Sequence, residues 1–366
     1  MIKPTKFIEQ LKPYKSVSHK VWEYTYNKNT DLLDEVIKLD WNEATKFDDF
    51  IIKEILRYFI EHKIRLNWYP DTNNRVLIKK ISEYVKIDEE NIQYFSGSDA
   101  ALEYIARVFV SPGDIIGIVS PTYDNFRVYV ESCGGKVINL MNKNPFEKDV
   151  ENINLQLNKK KFRMVYLVNP NNPTGVLYDV KEIEYLVKNH INTLFIIDEA
   201  YYEFCGVTCV NLIKKYDNIV ITRSFTKAFG LGGFRLGYVV APKYIIDYIN
   251  KIRVGKNINT FAQVAGIIVL SNKNFMIKYV EEVKIAKNMA ISELKNLGFE
   301  VIPTPANFIL IKVKNSSALI KKLETNNIFL RDRSSDPQLK NYIRITIGDI
   351  DTTKKFLVKF KSLINK

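Results

Sequence analysis

Over residues 48–62 the apolar side chains Phe50, Ile51, Ile55, Phe59 and Ile60 recur at helical spacing, which predicts a helix. Tyr69-Pro70 breaks the pattern, because a residue before proline is pushed out of the αR region. A second helix is predicted over 74–85 and a short strand over 91–95, which empties into Ser96-Gly97-Ser98-Asp99. Strands at 115–119, 136–140, 162–168, 194–197, 219–222 and 236–240 then follow, with helices at 100–110, 124–132 and 180–189 between the earlier ones. Continuous apolar strands alternating with helices indicate an α/β fold: a mostly parallel sheet covered on both faces, with ligands outside the carboxyl ends of its strands.

Beyond Pro242 the pattern changes. Helices at 243–249, 260–270, 274–297, 317–324 and 352–363 are interspersed with strands at 300–302, 308–313, 328–330 and 342–347, which suits a smaller α+β unit. Residues 1–44 show little periodic burial and read as an arm contributing to the small domain and the substrate side. The expected division is therefore an arm over 1–44, a large α/β domain over 45–250 and a small domain over 251–366.

Bulk properties narrow the class. The chain has 46% hydrophobic residues and only three cysteines, which suits a sizeable core in a reducing compartment and not a disulfide scaffold. Its net charge of +13 comes from basic residues spread along the whole length, which favours anionic small molecules; nucleic-acid binding would want a patch or a module. No apolar run approaches a membrane span, and a cytoplasmic enzyme is expected. His19, His62 and His190 are unaccompanied by clustered Cys or His, so no zinc site is expected.

Three loaded stretches lie at strand ends. Asn169-Pro170-Asn171-Asn172-Pro173-Thr174-Gly175 follows one strand, Asp198-Glu199-Ala200-Tyr201 a second, and Ser224-Phe225-Thr226-Lys227 a third, running through a Gly-rich loop to Arg235. An amine such as that of Lys227 becomes a covalent catalyst as a Schiff base, which needs an electron sink that side chains do not provide. A pyridine ring bearing an aldehyde, a hydroxyl and a phosphate would use every group. Asp198 would hold the ring nitrogen protonated, Tyr201 and Asn172 would donate to the ring oxygen, and Tyr123 would cover the face. Ser98, the Asp99 amide, Ser224, Thr226 and Arg235 would surround the phosphate. Taken singly, each has an ordinary reading: a helix N-cap at Ser98 or Asp99, a turn at Asn169 to Gly175, a core tyrosine at Tyr123, a surface lysine at Lys227.

Taken in order, these runs together with Tyr69-Pro70-Asp71, Gly97-Ser98-Asp99, Pro121-Thr122-Tyr123 and Arg344-Ile345-Thr346-Ile347-Gly348 resemble the signatures of fold-type I aminotransferases, and most of all the histidinol-phosphate aminotransferase branch. The resemblance implies a pyridoxal 5'-phosphate enzyme with Lys227 as Schiff-base lysine and proton shuttle, and Asp198 on the pyridine nitrogen. Asn172 and Tyr201 would bind the ring oxygen. It implies a homodimer in which Tyr69 reaches the other subunit's cofactor phosphate, Arg344 as clamp for the donor carboxylate, and Tyr14, Asn42 and Arg331 on the substrate side. The reaction expected is transfer of an amino group from an amino acid, glutamate above all, to a small phosphorylated carbonyl compound; the rival is decarboxylation of an O-phospho amino acid such as phosphoserine or phosphothreonine. Three features depart from the branch: a longer segment over 27–37, Ser96 where Asn is usual, and Val254-Gly255-Lys256-Asn257 in place of Pro-Phe-Asn. Lys256 and Arg333 would enlarge the positive field if they face the substrate.

Overall fold

The computed structural model describes residues 2–14, 21–22 and 30–364. The chain divides into two units, one of Met1–Lys12 and Phe47–Ile277, the other of Pro13–Lys46 and Lys278–Lys366. The division thus falls within the helix Asn274–Asn296 and not at residue 250, and the first twelve residues of the expected arm group with the large unit.

The large unit is built on seven strands: β1 (Ile92–Phe95), β2 (Ile115–Ser120), β3 (Lys136–Met141), β4 (Met164–Val168), β5 (Leu194–Asp198), β6 (Ile219–Ser224) and β7 (Gly237–Val240). Their order across the sheet is β1-β7-β6-β5-β4-β2-β3. β7 runs antiparallel to both its neighbours and every other pairing within β2–β6 is parallel, so the mostly parallel sheet is present. β4 and β6 are buried along their whole length, as strands covered on both faces must be.

Helix Asp49–Glu61 buries Ile51, Ile55 and Phe59, leaving Phe50 and Ile60, expected on its apolar face, exposed. Residues 251–277 belong with the large unit because the helix Thr260–Ser271 is buried from Ala262 to Leu270 and packs on the helices Asp49–Glu61 and Arg75–Val85. Phe261 stacks on Phe59 with ring centres 4.6 Å apart. A helix apolar all round is at home only inside a core.

In the second unit the sheet order is Arg331–Asp332, Tyr342–Thr346, Phe308–Lys312, Glu300–Ile302, all antiparallel. The strand expected over 328–330 is present as Ile328–Phe329, but it stays out of this sheet and pairs in parallel with Ile37–Lys38; a separate short strand, Arg331–Asp332, follows it. Residues 37–46 are woven into this unit. Thr346 N donates to Leu39 O at 2.9 Å, and Asp349 N donates to Thr45 Oγ1 at 2.9 Å. A Cβ on Gly348 would clash with the Thr45 side chain, so only glycine allows that approach. The segment 27–37 lies partly outside the described residues.

Successive side chains of a strand point to opposite faces, so the residues that follow Asp198 and Thr222 belong to the far side of the large sheet. There the buried Arg223 meets the buried Glu199, Nη2 to Oε2 at 2.9 Å, and donates to Thr208 Oγ1 at 2.6 Å; Cys209 N donates to Glu199 Oε1 at 2.6 Å. The Tyr202 ring lies 3.6 Å from the guanidinium carbon. Removing one partner of a buried pair strands the other charge out of water. Arg223→Ala should therefore lower stability by about 3–5 kcal/mol in a urea titration, whereas an apolar replacement of both partners should recover most of that loss. A single-mutant loss below about 1 kcal/mol would be incompatible with a sequestered pair.

Candidate active site

Asp198 closes β5 with its carboxylate only 4% exposed. Tyr166, from the neighbouring β4, donates its hydroxyl to Asp198 Oδ2 at 2.8 Å, and Ala200 N donates to Oδ1 at 3.2 Å. Burial pushes the Asp198 carboxyl up to about 6 against the pull of those donors. Such a group gains from a cationic N–H beside it.

The loop after β4 positions the next residue. Asn169 exchanges two bonds with Tyr178, Nδ2 to O at 2.9 Å and Oδ1 from N at 2.8 Å, while Asn171 Nδ2 donates to Pro121 O at 2.8 Å and to Thr174 Oγ1 at 2.7 Å. Both amides are spent on holding the loop. Asn172, half-buried, comes directly after them in the same loop, and Tyr201, buried, follows β5.

Ser224 ends β6, and its Oγ accepts from Thr226 N at 3.1 Å. Phe225 N donates to Leu236 O and Leu231 N to Phe225 O, both at 3.0 Å, which closes the loop on itself. Phe225 packs against Phe229 and Tyr238 with ring centres at 5.1 and 5.5 Å. Lys227 is half-buried between those anchors, its Nζ 5.9 Å from the centre of the Tyr201 ring.

The phosphate-side residues converge on the helix that follows β1. It begins at Gly97, three residues before the expected start, and Ser96 ahead of it makes no side-chain cap, so the first-turn amides are left for another acceptor. Gly97 has φ +81°, and a Cβ there would come within 2.7 Å of Arg235 Nη2. The guanidinium therefore lies directly over the helix start, 3.4 Å from Asp99 Oδ2. A Cβ on Gly237 would meet Ser98 N at 2.5 Å, which keeps β7 against the same turn. Tyr123, half-buried, donates its hydroxyl to Asp99 Oδ1 at 2.9 Å. The Asp99 side chain thus orients Tyr123 and Arg235, and only its amide faces an anion's needs.

Tyr69 is 79% exposed, with Lys256 Nζ 4.3 Å from its ring centre. In the second unit Arg344 and Arg331 sit directly opposite each other on neighbouring strands, and the buried Arg344 donates from Nη2 to Asp40 O. Asn42, fully buried with φ +55°, accepts from Thr346 Oγ1 at 3.0 Å through Oδ1, so this amide oxygen is committed to the unit's own framework. Tyr14 is half-buried in the same unit, and Arg333 follows Arg331. Tyr166 was not legible as a site residue. Tyr166 lies inside an apolar run, and its place one strand from Asp198 is the only signal.

Residues 34–360 match the sequence model of the family described as aminotransferase class I and II. The chain is 38% identical over 349 residues to the dihydroxyacetone phosphate transaminase of Campylobacter jejuni, covering 94% of this chain and 92% of that one. It is 36% identical over 319 residues to a histidinol-phosphate aminotransferase of Ruminiclostridium cellulolyticum, covering 85% and 88% respectively. Its fold is similar to the crystal structure of histidinol-phosphate aminotransferase from Sinorhizobium meliloti in complex with pyridoxal-5'-phosphate, with a TM-score of 0.88 at 21% identity, covering 100% of this chain and 98% of that one.

The raised Asp198 carboxyl has a measurable consequence. Its folded value of about 6 exceeds the ordinary 3.8, so the cofactor-free fold keeps its full stability at this site below pH 4 and loses it as pH rises through 6. Asp198→Asn, which cannot ionise, should gain on the cofactor-free parent by up to about 3 kcal/mol between pH 4 and 7.5 in denaturant titrations. A difference that stays flat over that range would show the carboxylate is not desolvated.

Proposed function

The chain belongs to the class I and II aminotransferases, and from that premise we propose that it moves the amino group of an amino acid, glutamate being the expected donor, to a small phosphorylated ketone of the dihydroxyacetone phosphate kind. Identity to the Campylobacter transaminase along nearly the full length of both chains supports this reading most directly. The two arginines in register at 331 and 344 support it too, since like charges directly opposite each other on a sheet favour an anion between them.

The cofactor is pyridoxal 5'-phosphate, and the residues present fit it: a buried acid for a ring N–H, a lysine beside an aromatic ring, and a glycine-lined helix start under a guanidinium. When bound, that cofactor supplies an electron-accepting ring beside the carbon that carries the exchanged nitrogen. Lys227 would hold its aldehyde and Asp198 its ring nitrogen; Asn172 and Tyr201 would hold its ring oxygen and Tyr123 its face. Ser98, the Asp99 amide, Ser224, Thr226 and Arg235 would hold its phosphate. Asp198 keeps a proton on the ring nitrogen because an ionised carboxylate buried this deeply needs a cationic partner. Lys227 Nζ takes the proton from the donor's Cα and returns one to the acceptor's carbon, a general acid–base role suited to an amine held on a closed loop. Arg344 orients the donor's carboxylate with its planar fork, and Arg331, with Asn42 and Tyr14, lines the substrate side.

The working unit in this reading is a homodimer in which Tyr69 reaches the neighbouring cofactor phosphate. Its support is the exposure of Tyr69 and the apolar residues Ile52, Leu56 and Ile60, which are exposed along one face of the helix Asp49–Glu61.

Glutamate and dihydroxyacetone phosphate should give parallel double-reciprocal plots, as a two-stage exchange on one cofactor requires; intersecting lines count against transfer. Lys227→Ala should lose the visible absorbance of the bound aldehyde and at least roughly a hundredfold in turnover. Carbon dioxide released from phosphoserine or phosphothreonine without a keto acid would overturn transamination in favour of decarboxylation. Arg344→Ala should raise the KM for the amino donor by about ten- to a hundredfold while cofactor absorbance persists; loss of the cofactor instead would move Arg344 out of the substrate role.

A further inference from the structure

The candidate active site occupies the carboxyl ends of the large sheet. At the opposite edge, where β4, β5 and β6 begin, a cavity of about 480 Å³ opens beside Arg163, Leu194 and Asn218. Five-residue β5 alone holds the two edges roughly 13 Å apart, at about 3.3 Å per residue, so one small molecule cannot serve both. The volume is that of sites which take small organic ligands.

Its polar groups are held in place. Arg163 N donates to Ile115 O at 2.8 Å, Arg163 O accepts from Leu194 N at 3.1 Å, and Arg163 Nε donates to Phe109 O at 3.1 Å. Among the described residues that spends only Nε of the guanidinium, so the two terminal nitrogens of an exposed fork remain. Asn218 Nδ2 faces three carbonyls, Val187 O and His190 O at 3.1 Å and Thr193 O at 3.0 Å, which leaves Oδ1 as the unspent atom of that amide.

The remaining wall is apolar. Helix Lys243–Asn250 contributes Tyr244 and Tyr248, whose rings meet edge-on with centres 6.4 Å apart. Each ring is fixed by a contact of its own: Tyr244 Oη donates to Asp217 O at 2.7 Å, and Lys251 Nζ lies 4.5 Å from the centre of Tyr248. Burial raises the Tyr244 phenol and Arg163 pulls it down, so the cation and this ring are within electrostatic reach of each other. Both rings and Ile191 are nevertheless exposed, which leaves aromatic and aliphatic surface gathered around one guanidinium.

We propose that this cavity binds a small aromatic carboxylate bearing an N–H or O–H donor, a ligand separate from the substrates and the cofactor. Its ring packs on Tyr244 and Tyr248, its carboxylate takes the fork of Arg163, and its donor meets Asn218 Oδ1. A guanidinium matches the two oxygens of a carboxylate better than any single point charge does. The surrounding charge favours an anion as well. Lys159, Lys160 and Lys161 are exposed immediately before Arg163, and of the acidic residues beside the two tyrosines, Asp247 is already paired with Lys243 at 2.7 Å.

The test titrates holoenzyme with indole-3-acetate by calorimetry, with the neutral indole-3-acetamide as control. The carboxylate should bind saturably with a dissociation constant of about 1 mM or tighter, and the amide about ten- to a hundredfold more weakly. Arg163→Gln should weaken indole-3-acetate by the same factor. Ile191→Glu, which changes only an exposed wall residue and brings in a like charge, should also weaken it, and it decides the matter if Arg163→Gln fails to fold. Tyr248→Leu should cost about two- to tenfold. Arg344→Ala should leave the titration unchanged, because that arginine belongs to the substrate side. No saturable binding, equal binding of the acid and the amide, or binding lost in Arg344→Ala but kept in both Arg163→Gln and Ile191→Glu would overturn the proposal; the last outcome would put the anion in the active site.

Discussion

A carboxylate taken out of water at the end of a buried strand must either pick up a proton or be matched by a cation, and Asp198 stands at that choice. Burial, against the pull of its hydrogen-bond donors, leaves it raised to about 6. Tyr166 and the Ala200 amide favour the ionised form, but two neutral donors do not offset full desolvation. The site is therefore incomplete as protein. Its chemistry calls for a positively charged N–H at one place, and the loops after β4, β5 and β6 arrange an amide, a phenol and an amine around that place.

The opposite face of the same strands carries the complementary solution. Where Asp198 awaits a ligand, Glu199 one residue later has its cation built in, because Arg223 comes from the adjacent strand at the matching register. The pair also links loop to framework. Tyr238, 3.4 Å from Arg223 Nη1, packs on Phe225, and Phe225 touches Phe229, so the lysine loop rests on a network of aromatic rings and one ion pair. The Tyr84 hydroxyl donates to Glu203 at 3.2 Å, and burial pushes that carboxyl up to about 7.

The alternation of apolar strands and helices was legible because each element carries its own period, and the ends of β4, β5 and β6 were legible because their polar residues interrupt apolar runs. What depends on neighbours was not. The helix start at Gly97 was read three residues late because Ser98 and Asp99 are good caps, whereas the backbone there is set by Gly237 packing on the Ser98 amide. The burial of Glu199 against Arg223 follows from strand order, which no local pattern encodes. That Thr346, far along the chain, donates to Asn42 Oδ1 was equally hidden from local pattern. Lys256 stood out only as a departure from a familiar run, and its position on Tyr69 needs Gly255 to pass against Thr72.

The parallel pairing of Ile37–Lys38 with Ile328–Phe329 has a consequence for synthesis. On the ribosome, the early segment emerges long before its partner, while the large sheet, whose strands all lie between residues 92 and 240, can assemble in the meantime. Until residue 328 has been translated, that strand edge is open to other nascent chains, and the closing of such a distant pair is a slow event. Prematurely terminated chains would carry a finished sheet and a sticky leader, the kind of product that chaperones bind.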